Sequence, residues 1–183
     1  QLQLHIEGLI VCSACIGGEI PLLIRQERID EARESAKWFK EVFGDDYYIE
    51  LQRHKANVPV ANHETILLQE KANIELIKIA QELGIKLICS NDVHFVNESD
   101  AEAHDRLICL STGKTLNDEK RMLYSKQEWL KTQEEMNAVF ADIPEALSNT
   151  LEILDKVEMY SIDNDAILPN FPLPDGFTNN DDY

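Results

Sequence analysis

A chain of 183 residues with 44% apolar and 28% charged side chains has the composition of an ordinary soluble globular protein, and it is long enough for one sizeable core. No stretch reaches the roughly 20 apolar residues of a membrane span, and Gln1 to Glu7 is neither basic nor followed by a secretory core, so a cytoplasmic protein with no membrane partner is expected. With 34 acidic against 17 basic residues the formal charge is −17, which opposes broad contact with a phosphate backbone, because that binding depends on Lys and Arg displacing counterions.

Gly8 to Ser13 is a short apolar run that reads as a buried strand, and Gly17 and Gly18 break the pattern after it. Glu19 to Gln26 and Asp30 to Phe43 read as helices; in the second, Ala32, Ala36, Phe39, Lys40 and Phe43 fall on one stripe, and Gly44 stops it. Tyr47 to Leu51 is a second strand, opening onto Gln52, Arg53 and His54. From about Val60 to Leu83 comes the longest helical stretch, with Ile66, Leu67, Ile74, Ile77 and Leu83 expected toward the core and Glu64, Glu70, Glu75, Lys78 and Glu82 toward water. Gly84 ends it, and Ile85 to Cys89 is a third, buried strand that closes on Ser90, Asn91, Asp92, Val93 and His94.

Strand, helices, strand, helix, strand is the grammar of consecutive parallel βα units. Right-handed crossovers then line up the strand C-termini on one rim, where α/β proteins place their chemistry. That rim receives Cys15, His54, Asp92 and His94 from distant parts of the chain. Two residues apart in a still-extended segment, Asp92 and His94 share one face and can grip one cation, and oxygen with nitrogen ligands suits zinc, manganese or iron better than calcium. Taken singly, Cys15 is equally a small core hydrophobe and His54 a surface residue. Cys12 and Cys15 form a C-x-x-C with no second pair to complete a zinc ribbon, and four cysteines are too few and too scattered for a disulfide framework, so reduced thiols are expected.

Beyond His94 the chain turns helical. Asp100 to Leu110 reads as a helix carrying His104; Ser125 with Glu128 and Thr132 with Glu135 each fit a capping box at a helix start; Asp142, Pro144 and Glu145 mark another start, for a helix to about Val157. Leu168 to Gly176 holds three prolines in six residues and reads as an extended connector, and the acidic cluster of Asp163, Asp165, Asp175, Asp181 and Asp182 reads as a solvated tail.

The segments EGLIVCSACIGGEIP (Glu7 to Pro21), YYIELQRH (Tyr47 to His54), LGIKLICSNDVHFVNESDAEAHDRLICLSTGKTL (Leu83 to Leu116) and EEMNAVFADIPEALSNTLEI (Glu134 to Ile153) occur in the order used by one family. The chain resembles the PHP (polymerase and histidinol phosphatase) domain of bacterial replicative DNA polymerase III alpha subunits, and LPNFPLPDG (Leu168 to Gly176) is similar to the exit from that domain. The resemblance implies an α/β fold, a partial distorted (βα)7 PHP barrel followed by a helical segment. It divides the chain into residues 1–158, the C-terminal part of the PHP domain, and 159–183, a proline-rich connector toward the polymerase domain. It implies Cys15, Asp92 and His94 as ligands of zinc or manganese, with His54 and Asn91 beside them and magnesium at a polymerase site outside this chain. The family's H-x-H motif and further ligands precede Gln1 in that family's order, so the segment is expected to be inactive alone as the metal-dependent 3′-5′ exonuclease that an intact PHP site implies. DNA reached through the full-length polymerase and other replicase subunits are the implied partners, and self-association of the truncated barrel is expected from its apolar strand edges. Two alternatives stand beside this reading: a non-catalytic PHP module that stabilises the polymerase or docks a proofreading exonuclease, and a stand-alone PHP phosphatase, which the helical block from Asp100 to Val157 disfavours.

Overall fold

In the computed structural model, residues 2–55, 62–166, 172–176 and 179 are described, and they form a mixed α/β unit on a small parallel sheet. Strand β1 (Val11–Cys12) is followed by α1 (Glu19–Arg25) and α2 (Ile29–Phe43), β2 (Tyr47–Gln52) by α3 (His63–Leu83), and β3 (Lys86–Ser90) by α4 (Ala101–Thr112), α5 (Gln133–Val139) and α6 (Pro144–Lys156). The strand order is β1-β2-β3, all parallel, with Val11 opposite Tyr47, Tyr48 opposite Lys86 and Gln52 opposite Ser90. The three predicted βα units are therefore present. Three strands among the described residues form an open sheet, so a closed barrel is not seen.

β1 is shorter than the run from Gly8 to Ser13. Gly8 takes φ +74°, which turns the chain before the ladder begins. At the other end Ser13 donates its amide to the Tyr48 carbonyl (3.0 Å), while its hydroxyl accepts the Glu50 amide (2.9 Å). A side chain thus takes the place of the next ladder bond, and the chain leaves the sheet there.

The core lies between the sheet and the helices. Ile20 and Ile24 of α1, Ala32, Ala36 and Phe43 of α2, Tyr47, Ile49 and Leu51 of β2, and Leu76 and Ile79 of α3 are buried together, and Phe140, Ile143 and Ala146 join them around α5 and α6. The stripe read on α2 faces the core at Ala32, Ala36 and Phe43, as expected. On α3 the phase differs from the sequence reading: Leu67 is 59% and Ile74 57% exposed. The buried face instead runs through Ile66, Gln69, Ala72, Asn73, Leu76, Ile79 and Ala80, a 3.6-residue series that includes small and amide side chains. Asn62 caps the helix by accepting the Thr65 amide (3.0 Å), and Gly84 ends it in the left-handed region at φ +62°.

α6 covers the outer edge of β3. Asn149 Nδ2 donates to the Leu87 carbonyl (2.8 Å), and Glu152 pairs with Lys86 (2.5 Å) while accepting the Tyr48 hydroxyl (2.8 Å). The capping box at Thr132 and Glu135 opens α5 as read. The one at Ser125 and Glu128 opens no helix: Glu128 accepts the Ser125 amide (2.9 Å), but Lys126 takes φ +66°, which turns the segment into a loop. Helix α6 begins at Pro144, with Asp142 engaged by Arg53 rather than capping. The predicted helix start at Val60, and Leu168 to Phe171 and Asp181 to Tyr183 of the connector and tail, lie outside the described residues.

Candidate functional site

The strand register brings the C-terminal ends of β2 and β3 level at Gln52 and Ser90, while β1 ends at Cys12 opposite Tyr48 and a turn carries the chain on to Cys15. Cys15 after β1, Gln52 and His54 at the end of β2, and Asp92 after β3 line one cavity of about 390 Å³. Tyr124, Ser125 and Glu128, from the loop before α5, line it as well. Both strand exits turn sharply: Ala14 takes φ +62° and Asp92 φ +45°. Gly18 has no room for a side chain, since a Cβ there would lie 2.3 Å from the Ser13 carbonyl oxygen and 3.1 Å from that of Cys15. The 13–18 turn that presents Cys15 thus closes on itself.

The turn at Asp92 changes one expectation. An extended segment would put Asp92 and His94 on the same face; the backbone at Asp92 is instead left-handed, and the His94 ring turns back onto the Asp92 carbonyl. Asp92 lines the cavity; His94 is exposed and does not. It reaches the cavity through Tyr124, whose ring lines the cavity and lies 4.6 Å from the His94 ring, with His104 5.0 Å from Tyr124 and 5.7 Å from His94. His94 Nδ1 donates to the Asp92 carbonyl (2.5 Å), which leaves Nε2 as the nitrogen with a lone pair to offer.

His54 is differently placed. Its backbone amide donates to Gln69 Oε1 (2.9 Å), Gln69 Nε2 donates to His54 Nδ1 (3.3 Å), and His54 Nε2 faces the Asn91 carbonyl at 3.0 Å. A carbonyl can only accept, so this network assigns the proton to Nε2 and saturates both ring nitrogens. Burial holds the His54 pKa below its ordinary value, against the opposing pull of Glu128, whose carboxylate lies 3.7 Å from Nδ1. With no free nitrogen, His54 supports the rim and does not ligate from this position.

Asn91 ties the rim together. Its Nδ2 donates to the carbonyls of Gln127 and Trp129, both at 2.7 Å. Across the same seam the His94 amide donates to the Glu128 carbonyl (2.8 Å), and the Leu130 amide to that of Phe95 (3.2 Å). The Glu128 carboxylate accepts from Ser125 and Gln127 within its own loop. Burial and the nearby Asp92 and Glu128 carboxylates raise the Tyr124 pKa, which keeps its hydroxyl protonated. Cys12 is pushed up to about 11 by burial and by Glu50, so it stays a thiol and is a poor ligand.

A sulfur from Cys15, an oxygen from Asp92 and a nitrogen from His94 are donors that zinc accepts. Among the described residues, however, no three His, Cys, Asp or Glu side chains gather into a group able to hold a metal ion. As arranged here the set is incomplete. Gln69, Tyr124 and Glu128 belong to the site and were not singled out for it in the sequence. The Ser125 to Glu128 spacing carried a signal, though for a helix start.

The PHP domain family model matches residues 1–54, the span that ends at His54. The DNA polymerase III subunit alpha of Borreliella burgdorferi is 42% identical over 185 residues, covering 100% of this chain and 15% of that protein. That of Helicobacter pylori is 39% identical over 187 residues, covering 96% of this chain and 14% of the relative. That of Treponema pallidum is 34% identical over 184 residues, covering 100% and 15%. The chain thus spans about 15% of the length of the curated relatives it matches.

Proposed function

Because the chain belongs to the PHP-domain region of the DNA polymerase III alpha-subunit family, we propose that it is a segment of a replicative DNA polymerase and contributes part of a metal centre at the strand C-termini. In this reading residues 1–158 are the C-terminal part of the PHP domain and 159–183 lead toward the polymerase domain. Cys15 as thiolate, Asp92 as carboxylate and His94 through Nε2 are the ligands this chain supplies to zinc or manganese. His54 and Asn91 hold the rim on which they stand. Side chains elsewhere in the longer polypeptide complete the set, and the assembled centre cleaves phosphodiester bonds in the 3′-5′ direction. Nucleotide addition, with its magnesium, belongs to a domain outside this chain. DNA and the other replicase subunits are met through the full-length polymerase. No helix among the described residues is long and apolar enough to cross a membrane.

The observation that carries this reading is the shared cavity: Cys15 and Asp92, 77 positions apart, line it together at the strand ends. The test is zinc or manganese uptake by the full-length polypeptide against its Asp92→Asn and Cys15→Ser variants. Each substitution is expected to lower uptake and 3′-5′ nuclease activity together. Uptake and cleavage unchanged in both variants would refute the assignment. The 183-residue chain alone is expected to lack nuclease activity, and activity that copurifies with it and vanishes in Asp92→Ala would overturn that.

One observation favours the second reading, a non-catalytic module that stabilises the polymerase or docks a proofreading exonuclease: the buried polar groups around the cavity, His54, Gln69, Ser125 and Glu128, satisfy one another. A rim built for stability alone would hold no metal in the full-length polypeptide, and Asp92→Asn would change neither its metal content nor its melting temperature. Self-association of the isolated chain follows from the edge of β1, which pairs with no further strand among the described residues. A light-scattering mass that rises above 20.9 kDa with concentration is the expected sign.

A further inference from the structure

A second cavity lies beside the first, on the other side of a wall formed by His54, Ile66 and Gln69, and it is the larger, at about 710 Å³. That volume falls within the roughly 300–1,000 Å³ range of small-molecule sites and is too large for a bare ion. It opens at the C-terminal end of β2, where α/β sheets bind ligands. One side is apolar, formed by Ile66, Ile74 and Ile77 of α3 with Val139 of α5. The other carries Arg53, Lys55 and Lys131, with Glu70 and Asp142 as the acidic members.

The charges divide unevenly. Arg53 is bound by Asp142 through both guanidinium nitrogens, at 2.5 and 2.9 Å, and donates to the Val139 carbonyl as well (3.0 Å). Lys55 lies 3.9 Å from Glu70. Lys131 has no carboxylate within ion-pairing distance among the described residues. Its ammonium donates to the Gln127 carbonyl (2.5 Å) and lies 3.3 Å from the centre of the Trp129 ring. An ammonium carries three donors, so Gln127 leaves donors to spare. The lining thus carries three basic against two acidic side chains in a chain of formal charge −17, and Lys131 is the half-buried cation among them with no ion-pair partner in the described residues. Burial lowers the Lys131 pKa, against the opposing pull of Glu135, Glu128 and Glu98, none of which reaches ion-pairing distance.

We infer that this cavity binds a nucleoside monophosphate or the terminal nucleotide of a single strand, with the phosphate on Lys131 and the base and sugar against Ile66, Ile74 and Ile77. An ammonium with donors to spare fits an anion, and an apolar wall beside it fits the flat body attached to that anion. The choice of a phosphate over a carboxylate rests on the polymerase reading above. The site is separate from the Cys15 and Asp92 cavity and requires no metal.

The test is equilibrium dialysis of the full 183-residue chain with radiolabelled thymidine 5′-monophosphate in the presence of a chelator. Saturable binding is expected, with thymidine and inorganic phosphate each at least about tenfold weaker. Lys131→Met, which keeps the stem over Trp129 and removes the charge, is expected to weaken binding by about tenfold or more. Ile74→Trp, at an exposed position that tolerates bulk, covers part of the apolar wall and is expected to weaken binding with Lys131 intact. Competition by a short oligothymidylate assigns the ligand to a strand end; its failure to compete assigns the ligand to the free nucleotide. Thymidine binding as tightly as its monophosphate, monophosphate binding unchanged in both variants, or binding of indole-3-acetate without the monophosphate would each overturn the inference. Because the dialysis is run without metal, these outcomes leave the metal reading untouched, and loss of metal uptake in Asp92→Asn is scored separately.

Discussion

Removing the Asn91 side chain tests whether one amide holds the rim in place. Asn91 is buried, and its Nδ2 serves two main-chain carbonyls, those of Gln127 and Trp129, each at 2.7 Å. A net hydrogen bond contributes about 0.5–1.5 kcal/mol, and a buried acceptor left without a partner costs about 1–3 kcal/mol. Asn91→Ala loses two such bonds and leaves the Trp129 carbonyl to be rehydrated through the vacated space, the Gln127 carbonyl keeping its Lys131 donor, which puts the loss at about 2–4 kcal/mol. Asn91→Asp preserves the shape but turns a carboxylate oxygen toward two carbonyl oxygens, so it is expected to be worse than alanine at neutral pH and to recover in part when acidified. Urea unfolding gives the free energies, and amide exchange at His94 and Leu130, whose bonds cross the same seam, shows where the loosening occurs. A loss under about 0.5 kcal/mol for alanine, or aspartate more stable than alanine at pH 7, would show that the Asn91 amide does not hold the rim.

Gly18→Ala places a Cβ 2.3 Å from the Ser13 carbonyl oxygen, a main-chain clash that cannot be relieved by a rotamer; a loss of about 2 kcal/mol in urea unfolding is expected. Arg121→Met strands the Asp105 carboxylate, which is bound by Arg121 through both guanidinium nitrogens with only 10% of its side chain exposed. The loss should be about 3 kcal/mol and should largely vanish in the double variant Arg121→Met, Asp105→Leu, as a double-mutant cycle would show. His54 has a folded pKa held below its unfolded value of about 6.5, so the unfolded chain takes up the proton first. The stability contributed by neutral His54 is complete above pH 6.5 and is lost as pH falls through the depressed folded value. Melting scans from pH 7.5 to 5 should therefore show a shallower decline in His54→Gln than in the parent, and parallel curves would count against it.

The sheet was legible because its signals are local. A buried run after Gly84 and another before Gln52 leave little alternative to strands, and Gly44 and Gly84 mark helix ends through their positive φ. What failed to show locally was set by tertiary contact. The buried face of α3 contains Gln69 and Asn73, whose amides bond to His54 and to the Gln52 carbonyl; a rule that equates burial with apolar side chains chose Leu67 and Ile74 instead. Ser125 and Glu128 form the hydrogen bonds of a cap in a loop that never continues as helix, because residues 127–130 are held by the segment from Asn91 to Val96. At the site, the βα topology read from the sequence places Cys15, His54, Asp92 and His94 on one rim, and the first three line one cavity. The pairing of Asp92 with His94 on one face assumed an extended backbone, and the left-handed turn at Asp92 is invisible in a composition that allows aspartate either conformation.

In the proposed metal centre a thiolate, a carboxylate and an imidazole of this chain converge on one ion in the full-length polypeptide. Cobalt(II) substituted for the native metal reports it directly, because a bound thiolate gives an intense sulfur-to-cobalt charge-transfer band. The band is expected in the parent protein, absent in Cys15→Ser, and retained in Cys12→Ser, whose thiol burial keeps protonated. A band that survives Cys15→Ser, or one that is lost only with Cys12, would contradict the account.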